Sequence, residues 1–400
     1  MNSYVDSISQ RNPRTSMREI DLSLLCIVGT LLIMGLIMVF SSSIALGDGP
    51  KYVNAGRYYF FSRQLIFILI GLFAMAFTFL MPMKFWDSKA FWGYCICFLL
   101  LALVLVPGIG REVNYAYRWI PIGPFNFQPS EFAKLTMIVF TSAYTVRKQK
   151  SIHGLKGFLP IIIYLGIICF LLINEPDLGA TMVVVAIVMS ILLLGGLGFA
   201  LFSLLFLSAV LLVIAAILTA PWRMQRFFAY LDPFSQEHAQ NTGYQLTHSL
   251  IAVGRGGFFG EGLGLSIEKL HYLPEAHTDF IMAVVGEELG FVGIFFVILL
   301  FVLLVRKGLN VGRQAIAMDR LFNGLVAQGV VVWFGVQAIV NLGVCFGVFP
   351  TKGLTLPFIS YGGSSIVISL MAFGLLLRVD YENRCLMRGQ KPLGIGASYA

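Results

Sequence analysis

Charged residues are scarce in this sequence. Asp, Glu, Lys and Arg make up only 12% of its 400 residues, whereas hydrophobic residues make up 58% and the mean hydropathy is +0.84. In soluble domains about a quarter of the residues are charged. The composition therefore excludes an ordinary soluble protein and indicates a polytopic membrane protein.

The short motifs of several protein classes are also missing. The six cysteines form no CxxC pair and no Cys/His cluster, so the sequence predicts neither a disulfide nor a zinc site. It contains no HExxH motif, no Ser/His/Asp order and no Walker motif, which argues against proteases, hydrolases and ATP-driven transporters. The net charge is +8, but the basic residues are scattered over several loops, so nucleic acid is a poor candidate partner.

Long apolar runs are plentiful, and each is bounded by proline, glycine or charge, as expected for helices that leave a bilayer. Runs of roughly 20 residues are long enough to span it. We therefore predict an all-α polytopic membrane protein with about ten transmembrane helices and a large extracytoplasmic loop, 220–278, between spans seven and eight. The runs are 22–42, 64–82, 90–107, 132–146, 158–173, 179–196, 199–219, 280–305, 322–347 and 358–377.

Lys and Arg residues predict the orientation of these spans. With the N-terminus inside, the inner segments carry 17 of the 28 basic residues, as the positive-inside rule requires. Ten spans place both termini in the cytoplasm, and the polar, Arg-containing start predicts an uncleaved anchor. The predicted organisation is an N-terminal cytoplasmic tail over 1–21, a membrane domain over 22–377 and a C-terminal cytoplasmic tail over 378–400.

The densest group of ionisable side chains lies in the stretch 271–290, beside the eighth apolar run. Such groups are costly to hold at the mouth of a spanning helix, so they mark a functional site. A polar helix cap would explain one Asp or Thr at this position. It would not explain the whole group, which comprises His271, Glu275, His277, Asp279, Glu287 and Glu288.

Other polar candidates each have a plainer alternative. Glu131 and Lys134 are three residues apart and share a helix face, which suits either a buried ion pair or a polar cavity. Glu175 and Asp177 flank Pro176 between spans five and six, where turn chemistry alone could account for them.

Several outer segments contribute further features. The segment 43–63, which includes Arg63, is rich in aromatic residues and is typical of an interfacial belt. The first half of the loop 220–278 is amphipathic, which predicts a helix in the headgroup plane. Its second half has six glycines between Gly254 and Gly264, typical of a flexible loop or of an anion-binding nest.

The segments 108–131 and 348–365 complete the outer side. The first contains too many prolines and glycines to be helical throughout. The second places one cation, Lys352, among hydroxyl side chains, and its glycines interrupt the tenth span, as is tolerated where a broken helix lines a site.

Carboxylates and cations on one membrane face suit group transfer from a phosphate-activated donor. A carboxylate can take the proton from the attacking hydroxyl, and fixed positive charge stabilises a departing pyrophosphate. The same residues would also suit a proton-coupled transporter or a lipid scramblase. The residues alone leave these possibilities open.

Four long motifs resemble those of the SEDS family of shape, elongation, division and sporulation proteins. The resemblance covers nearly the whole chain, and the PEAHTDF and TKGLTLPF forms are similar to the cell-division branch. The motifs, in chain order, are RWIPIGPFNFQPSEFAK, NEPDLGAT, YLPEAHTDFIMAVVGEELG and PTKGLTLPFISYGGSS.

The resemblance implies a peptidoglycan glycosyltransferase in the bacterial inner membrane at the division septum. It would polymerise lipid II on the outer side and release undecaprenyl pyrophosphate. The implied partners are a class B penicillin-binding protein, which is the septal transpeptidase, and other divisome proteins. The alternatives are a lipid II flippase and a non-catalytic septal scaffold that recruits the transpeptidase.

The resemblance also implies roles for individual residues. Asp279 is the candidate catalytic base on the 4-hydroxyl of the acceptor sugar, and Lys352 is a candidate pyrophosphate contact. No cofactor is required by the spacing, although a divalent cation such as Mg²⁺ could bridge carboxylates and pyrophosphate. The other predicted substrate-binding residues are Arg118, Glu131, Lys134, Glu175, Asp177, Glu275, His277, Ser360 and Ser364.

Overall fold

The structure is a computed structural model of the full chain. It describes residues 19–48, 56–113, 116–123, 125–152, 154–390 and 392. Most of the predicted N-terminal tail, 1–18, lies outside the described residues, as do 391 and 393–400.

All ten predicted spans are helical, and two further helices lie in the loop 220–278. The helices are α1 Leu22–Ser43, α2 Tyr59–Leu80, α3 Met83–Val104, α4 Pro129–Arg147, α5 Leu155–Asn174, α6 Leu178–Leu194, α7 Phe199–Leu218, α8 Pro221–Leu231, α9 Tyr244–Gly256, α10 Ile281–Ala317, α11 Leu321–Cys345 and α12 Gly363–Met387. Seven of them, α1, α2, α3, α5, α10, α11 and α12, are long and apolar enough to cross a membrane, and α6 and α7 contain shorter apolar helices. These helices make the chain a multi-pass membrane protein.

Helix α4 is less apolar because it is enclosed by other helices rather than exposed to lipid. One of its faces packs into the larger apolar core through Leu135 and Ile138. The opposite face packs into a second core through Met137 and Phe140, against α3, α5 and α6. Helix α4 thus joins the two halves of the membrane domain.

The last helix extends further than the apolar run predicts. It ends at Met387 rather than at 377, so the first ten residues of the predicted tail 378–400 are helical. Sequence hydropathy misses this extension because its charges neutralise each other within the protein. The buried Glu382 carboxylate pairs with Arg378 at 2.7 Å and also with Arg320.

The non-helical segment after α3 forms a small antiparallel sheet. Its strands are β1 Arg111–Val113, β2 Ala116–Ile122 and β3 Phe125–Phe127, in the order β1-β2-β3. Gly123, with φ 57°, lies at the turn between β2 and β3, where a positive φ favours glycine. The sheet places Arg118 on its central strand.

Helix α10 is broken at Gly290, and the glycine-rich loop fills the break. Gly290 has φ 64° and ψ −161°, a conformation that is essentially restricted to glycine. The amides of Glu261 and Gly262 donate to the carbonyls of Glu287 and Glu288, at 2.9 and 3.0 Å. Beyond the break, the amides of Phe291 and Val292 donate to carbonyls of the same loop. The backbone groups freed by the break are therefore satisfied, as burial requires.

Two buried carboxylates fasten the following segment to this broken helix. Glu287 accepts hydrogen bonds from the Ser266 hydroxyl at 2.5 Å and the Ile267 amide at 2.9 Å. Glu288 pairs with Lys269 at 2.6 Å and accepts from the Ser41 hydroxyl of α1. The glycine run and these two glutamates therefore hold the loop that leads to Asp279.

We predict that Gly290→Ala destabilises the protein by about 1–3 kcal/mol, because alanine is strained at this φ and ψ. The added Cβ would also lie 2.4 Å from the Gly260 nitrogen. The measurement is the thermal midpoint of the purified protein in detergent. The matched control is Gly254→Ala in α9, where a Cβ meets no atom within 4 Å. Equal midpoints for the two variants would contradict the role given to the break.

Candidate active site

A cavity of about 830 Å³ opens between the small sheet, the α5–α6 turn, α8 and the loops before α10 and α12. Both cations and carboxylates lie in its wall. Six of the predicted site residues line it, namely Arg118, Asp177, Glu275, His277, Asp279 and Lys352. The two arginines that the sequence did not single out for the site, Arg63 and Arg226, also line it.

The backbone at Asp279 is fixed by α11. The side-chain amide of Asn341 donates to the carbonyl of Asp279 at 2.8 Å and to that of Leu354 at 2.7 Å. Gly353 is close to the carboxylate, since a Cβ at this glycine would lie 3.2 Å from Asp279 Oδ2. The carboxylate is thus directed into the cavity, beside the loop that carries Lys352.

The surroundings of Asp279 favour its neutral form more than water does. Enclosure in the cavity wall and the nearby Glu275 carboxylate raise the pKa of Asp279 to about 7, and the Arg118 charge opposes this shift. A carboxylate with this pKa can both accept and release a proton near neutral pH. This property suits a general base.

The turn between α5 and α6 positions Arg118 and Asp177. Arg118 donates from Nε to the carbonyl of Glu175 at 3.2 Å and from Nη2 to the carbonyl of Pro176. Asp177 caps α6 by accepting from the Ala180 amide at 3.0 Å, so turn chemistry explains part of its role. Asp177 also lines the cavity.

The carboxyl group of Glu175 lies behind the cavity wall. Its side chain is fully buried, and neither oxygen accepts a hydrogen bond from the described residues. Burial and the neighbouring Asp177 raise the pKa of Glu175 to about 9, so it is protonated at neutral pH. The turn uses the backbone carbonyl of this residue rather than its charge.

Glu131 and Lys134 form a buried ion pair of 2.7 Å at the start of α4. Lys134 also donates to the side-chain oxygen of Gln337 at 2.9 Å, and the amide of Gln337 donates to the carbonyl of Thr355 at 2.6 Å. Their geometry is thus that of a buried i,i+3 ion pair, the plainer of the two alternatives that the sequence left open. The structure places this pair outside the cavity lining, where it supports the loop before α12.

The predicted serines also support the wall instead of lining it. Ser360 donates to the carbonyl of Thr278 at 2.6 Å and accepts from the Leu356 amide. Ser364 accepts from the Gln128 amide at 3.0 Å and donates to the carbonyl of Asn126. Ser360 therefore joins the loop before α12 to the segment that contains Asp279, and Ser364 joins the first turn of α12 to β3.

His277 lines the cavity within an aromatic cluster. Its ring contacts Phe60 edge-on at 4.7 Å and Tyr361 at 5.5 Å between ring centroids. Burial lowers the pKa of His277, which keeps the ring neutral at pH 7. A neutral imidazole in this position fits a shape or hydrogen-bonding role better than a charge role.

Arg63 was interpreted from the sequence as part of an interfacial belt, yet it lines the cavity. Its guanidinium donates to the Tyr59 hydroxyl at 2.6 Å and lies 5.3–5.9 Å from the rings of Tyr59, Phe67 and Phe125. The aromatic residues around it in the sequence were a correct signal of its environment, but not of its place in the cavity wall.

Metal binding by protein side chains alone has no support in the described ranges. Within them, no group of three His, Cys, Asp or Glu side chains could hold a metal ion.

The comparisons with known proteins agree with this architecture. A family model described as "Cell cycle protein", which groups FtsW, RodA and SpoVE, matches residues 22–385. The chain is 51% identical to a probable peptidoglycan glycosyltransferase FtsW of Burkholderia thailandensis, over 95% of this chain and 83% of the relative. It is 48% identical to a protein of the same description from Nitrosomonas europaea, over 93% of this chain and 95% of the relative.

Solved structures show the same fold. A chain from a peptidoglycan synthase complex that coordinates polymerization and crosslinking superimposes with a TM-score of 0.71 at 28% identity, covering 91% of this chain and 98% of that chain. The rod shape determining protein RodA of Thermus thermophilus gives a TM-score of 0.65 at 27% identity, covering 91% of this chain and 97% of that chain. By sequence match and by fold, the chain belongs to the FtsW/RodA/SpoVE cell cycle proteins, which are the SEDS family.

Proposed function

We propose that the chain is a peptidoglycan glycosyltransferase that polymerises lipid II into septal glycan strands during cell division. The observation that carries this proposal is the cavity itself. It combines one carboxylate whose pKa is about 7 with four cationic side chains. A base and fixed positive charge are the two requirements for displacing a pyrophosphate-linked leaving group.

The proposed reaction uses Asp279 as the general base. Its carboxylate takes the proton from the 4-hydroxyl of the acceptor sugar, and the oxygen attacks the anomeric carbon of the donor. The bond between that carbon and the diphosphate oxygen breaks, and undecaprenyl pyrophosphate leaves with the bonding electrons. Lys352 and Arg118 lie in the same wall and stabilise the negative charge of the leaving group.

The proposal extends to location and partners. The protein would act in the inner membrane at the septum, with both termini cytoplasmic and the cavity outward. It would work with a class B penicillin-binding protein and other divisome proteins. Similarity to a synthase complex that couples polymerization to crosslinking supports a transpeptidase partner. A divalent cation such as Mg²⁺ remains part of the proposal only as a substrate-bound ion, and no step depends on it.

We predict that Asp279→Asn lowers polymerisation by about 10²–10⁴-fold, because an amide cannot act as the base. The measurement is gel analysis of labelled lipid II incubated with the purified protein and its transpeptidase partner. The matched control is Asp319→Asn, an exposed aspartate after α10 whose positive φ, 57°, asparagine also tolerates.

Normal polymerisation by Asp279→Asn at equal protein level would refute the base assignment. Transport of lipid II across liposomes without any polymer would favour the flippase alternative. If the protein is a scaffold, neither the parent nor the Asp279→Asn variant would yield polymer. Partner binding would then survive substitution of Asp279, Lys134 and Lys352.

The pKa of Asp279 predicts the acidic limb of the pH profile. Since the base must be ionised, the rate should rise with pH and reach half its plateau near pH 7. Glu275 raises this pKa, so Glu275→Gln should move the acidic limb to lower pH. The measurement is the initial polymerisation rate between pH 5 and 9. A parent midpoint near the ordinary aspartate value, or no shift in the variant, would contradict this electrostatic assignment.

Gly353→Ala tests the approach of the Lys352 loop to the base. The Cβ would press on Asp279 Oδ2 at 3.2 Å, so the carboxylate must move by a few tenths of an ångström. Misplacement of a reacting group is costly, and we predict a fall in kcat of about 10-fold or more. Gly254→Ala is the control, and equal kcat values for the two variants would count against this close contact.

A further inference from the structure

Helix α8 has two distinct faces. Met224, Phe228 and Leu231 recur at helical spacing and are 37%, 53% and 62% exposed, which forms an apolar stripe on the outside. Arg226 and Phe227 instead line the cavity. An amphipathic helix of this kind lies at the headgroup level of a membrane, with its apolar stripe toward the acyl chains.

The cavity side of α8 is anchored to the loop before α12. The hydroxyl of Tyr230 donates to the carbonyl of Val348 at 2.8 Å, only four residues before Lys352. This bond holds Arg226, one helical turn earlier, in the cavity wall. Ile217, near the end of α7, lines the same region and gives it an apolar margin toward the membrane.

Arg226 and Arg118 come from segments more than a hundred residues apart, and both line the cavity. Partial burial and the Arg118 charge lower the pKa of Arg226, so the two guanidinium groups repel each other in this wall. A wall that carries Arg63, Arg118, Arg226 and Lys352 attracts an anionic group, which weakens the repulsion between these cations. Arg118 is held there by the backbone of the α5–α6 turn, so its position does not depend on a bound ligand.

We propose that Arg226 and Arg118 together form the binding site for the lipid-linked diphosphate, with Arg226 on the phosphate nearest the bilayer. This inference rests on the proposed function for the identity of the substrate. It adds a residue from the amphipathic helix to the site and makes α8 part of the substrate-binding wall.

The chemistry of the ligand fits this arrangement. A diphosphate carries two anionic groups, and each guanidinium can donate two parallel hydrogen bonds to phosphate oxygens. The polyprenyl tail of the substrate lies in the bilayer, so its phosphates are at the headgroup level, where α8 lies. Arg226, which is exposed, therefore contacts the phosphate next to the tail, while the less exposed Arg118 lies within electrostatic reach of Asp279.

Diphosphate binding can be measured without any polymerisation. The probes are farnesyl diphosphate and farnesyl monophosphate, titrated into the full-length protein in detergent without anionic lipid. For Arg226→Gln we expect the Kd of the diphosphate to rise by about 10- to 100-fold, as for the loss of charged hydrogen bonds, and that of the monophosphate to rise less. Arg226→Lys should recover part of the loss, because it keeps the charge but not the planar fork.

A charge-relocation variant provides the matched control. Gln225 is exposed and lies outside the cavity lining. The double variant Gln225→Arg with Arg226→Gln keeps the composition and net charge of α8 but turns the cation away from the cavity. It should bind the diphosphate as weakly as Arg226→Gln. Thermal midpoints within the error of the parent would show that each variant is folded.

Three results would overturn the inference. The first is an unchanged diphosphate Kd in Arg226→Gln, and the second is a Kd restored by the relocated charge. The third is an effect of Arg226 that is confined to retention of phosphatidylglycerol added to the micelles, which would assign it to bulk lipid. If lipid II is polymerised but Arg226 is irrelevant to the diphosphate, only this inference fails. If no polymer forms but the diphosphate Kd depends on Arg226, the anion site stands and the proposed activity fails.

Discussion

One buried side-chain amide holds the two halves of the site together. Asn341, only 2% exposed, donates both of its hydrogens, one to the carbonyl of Asp279 and one to that of Leu354. The first carbonyl ends the segment that leads into α10, and the second belongs to the loop before α12. Because a buried amide hydrogen bond is costly to leave unmade, this pairing fixes the base relative to the Lys352 loop. The Ser360 hydroxyl reinforces the same junction by donating to the carbonyl of Thr278.

The surrounding polar groups divide into those that face the cavity and those that build its wall. Glu131, Lys134, Ser360 and Ser364 all match family motifs, yet each forms hydrogen bonds with other protein groups. In a low-dielectric environment an unpaired charge is expensive, so these wall residues pair within the protein, while the unpaired carboxyl group of Glu175 has a pKa raised to about 9. Motif membership therefore identifies the region of the site without distinguishing contact residues from supporting ones.

The sequence predicted the spans well because lipid exposure leaves long apolar runs. It also located Asp279, since ionisable groups beside a spanning helix are conspicuous. The break at Gly290 was not predictable, because it depends on a loop that begins more than thirty residues earlier in the chain supplying hydrogen-bond partners. The same limit applies to Arg63 and Arg226, which resembled interfacial residues until tertiary packing brought them to one cavity.

The size of the cavity constrains what happens after each bond is formed. Its volume, about 830 Å³, is that of a pocket for a single ligand of drug size. A lengthening chain of sugars cannot accumulate there, so every newly joined unit must vacate the space before the next one enters. Departure of the product from this cavity is thus an obligatory part of each cycle, and its rate sets an upper limit on the speed of the enzyme.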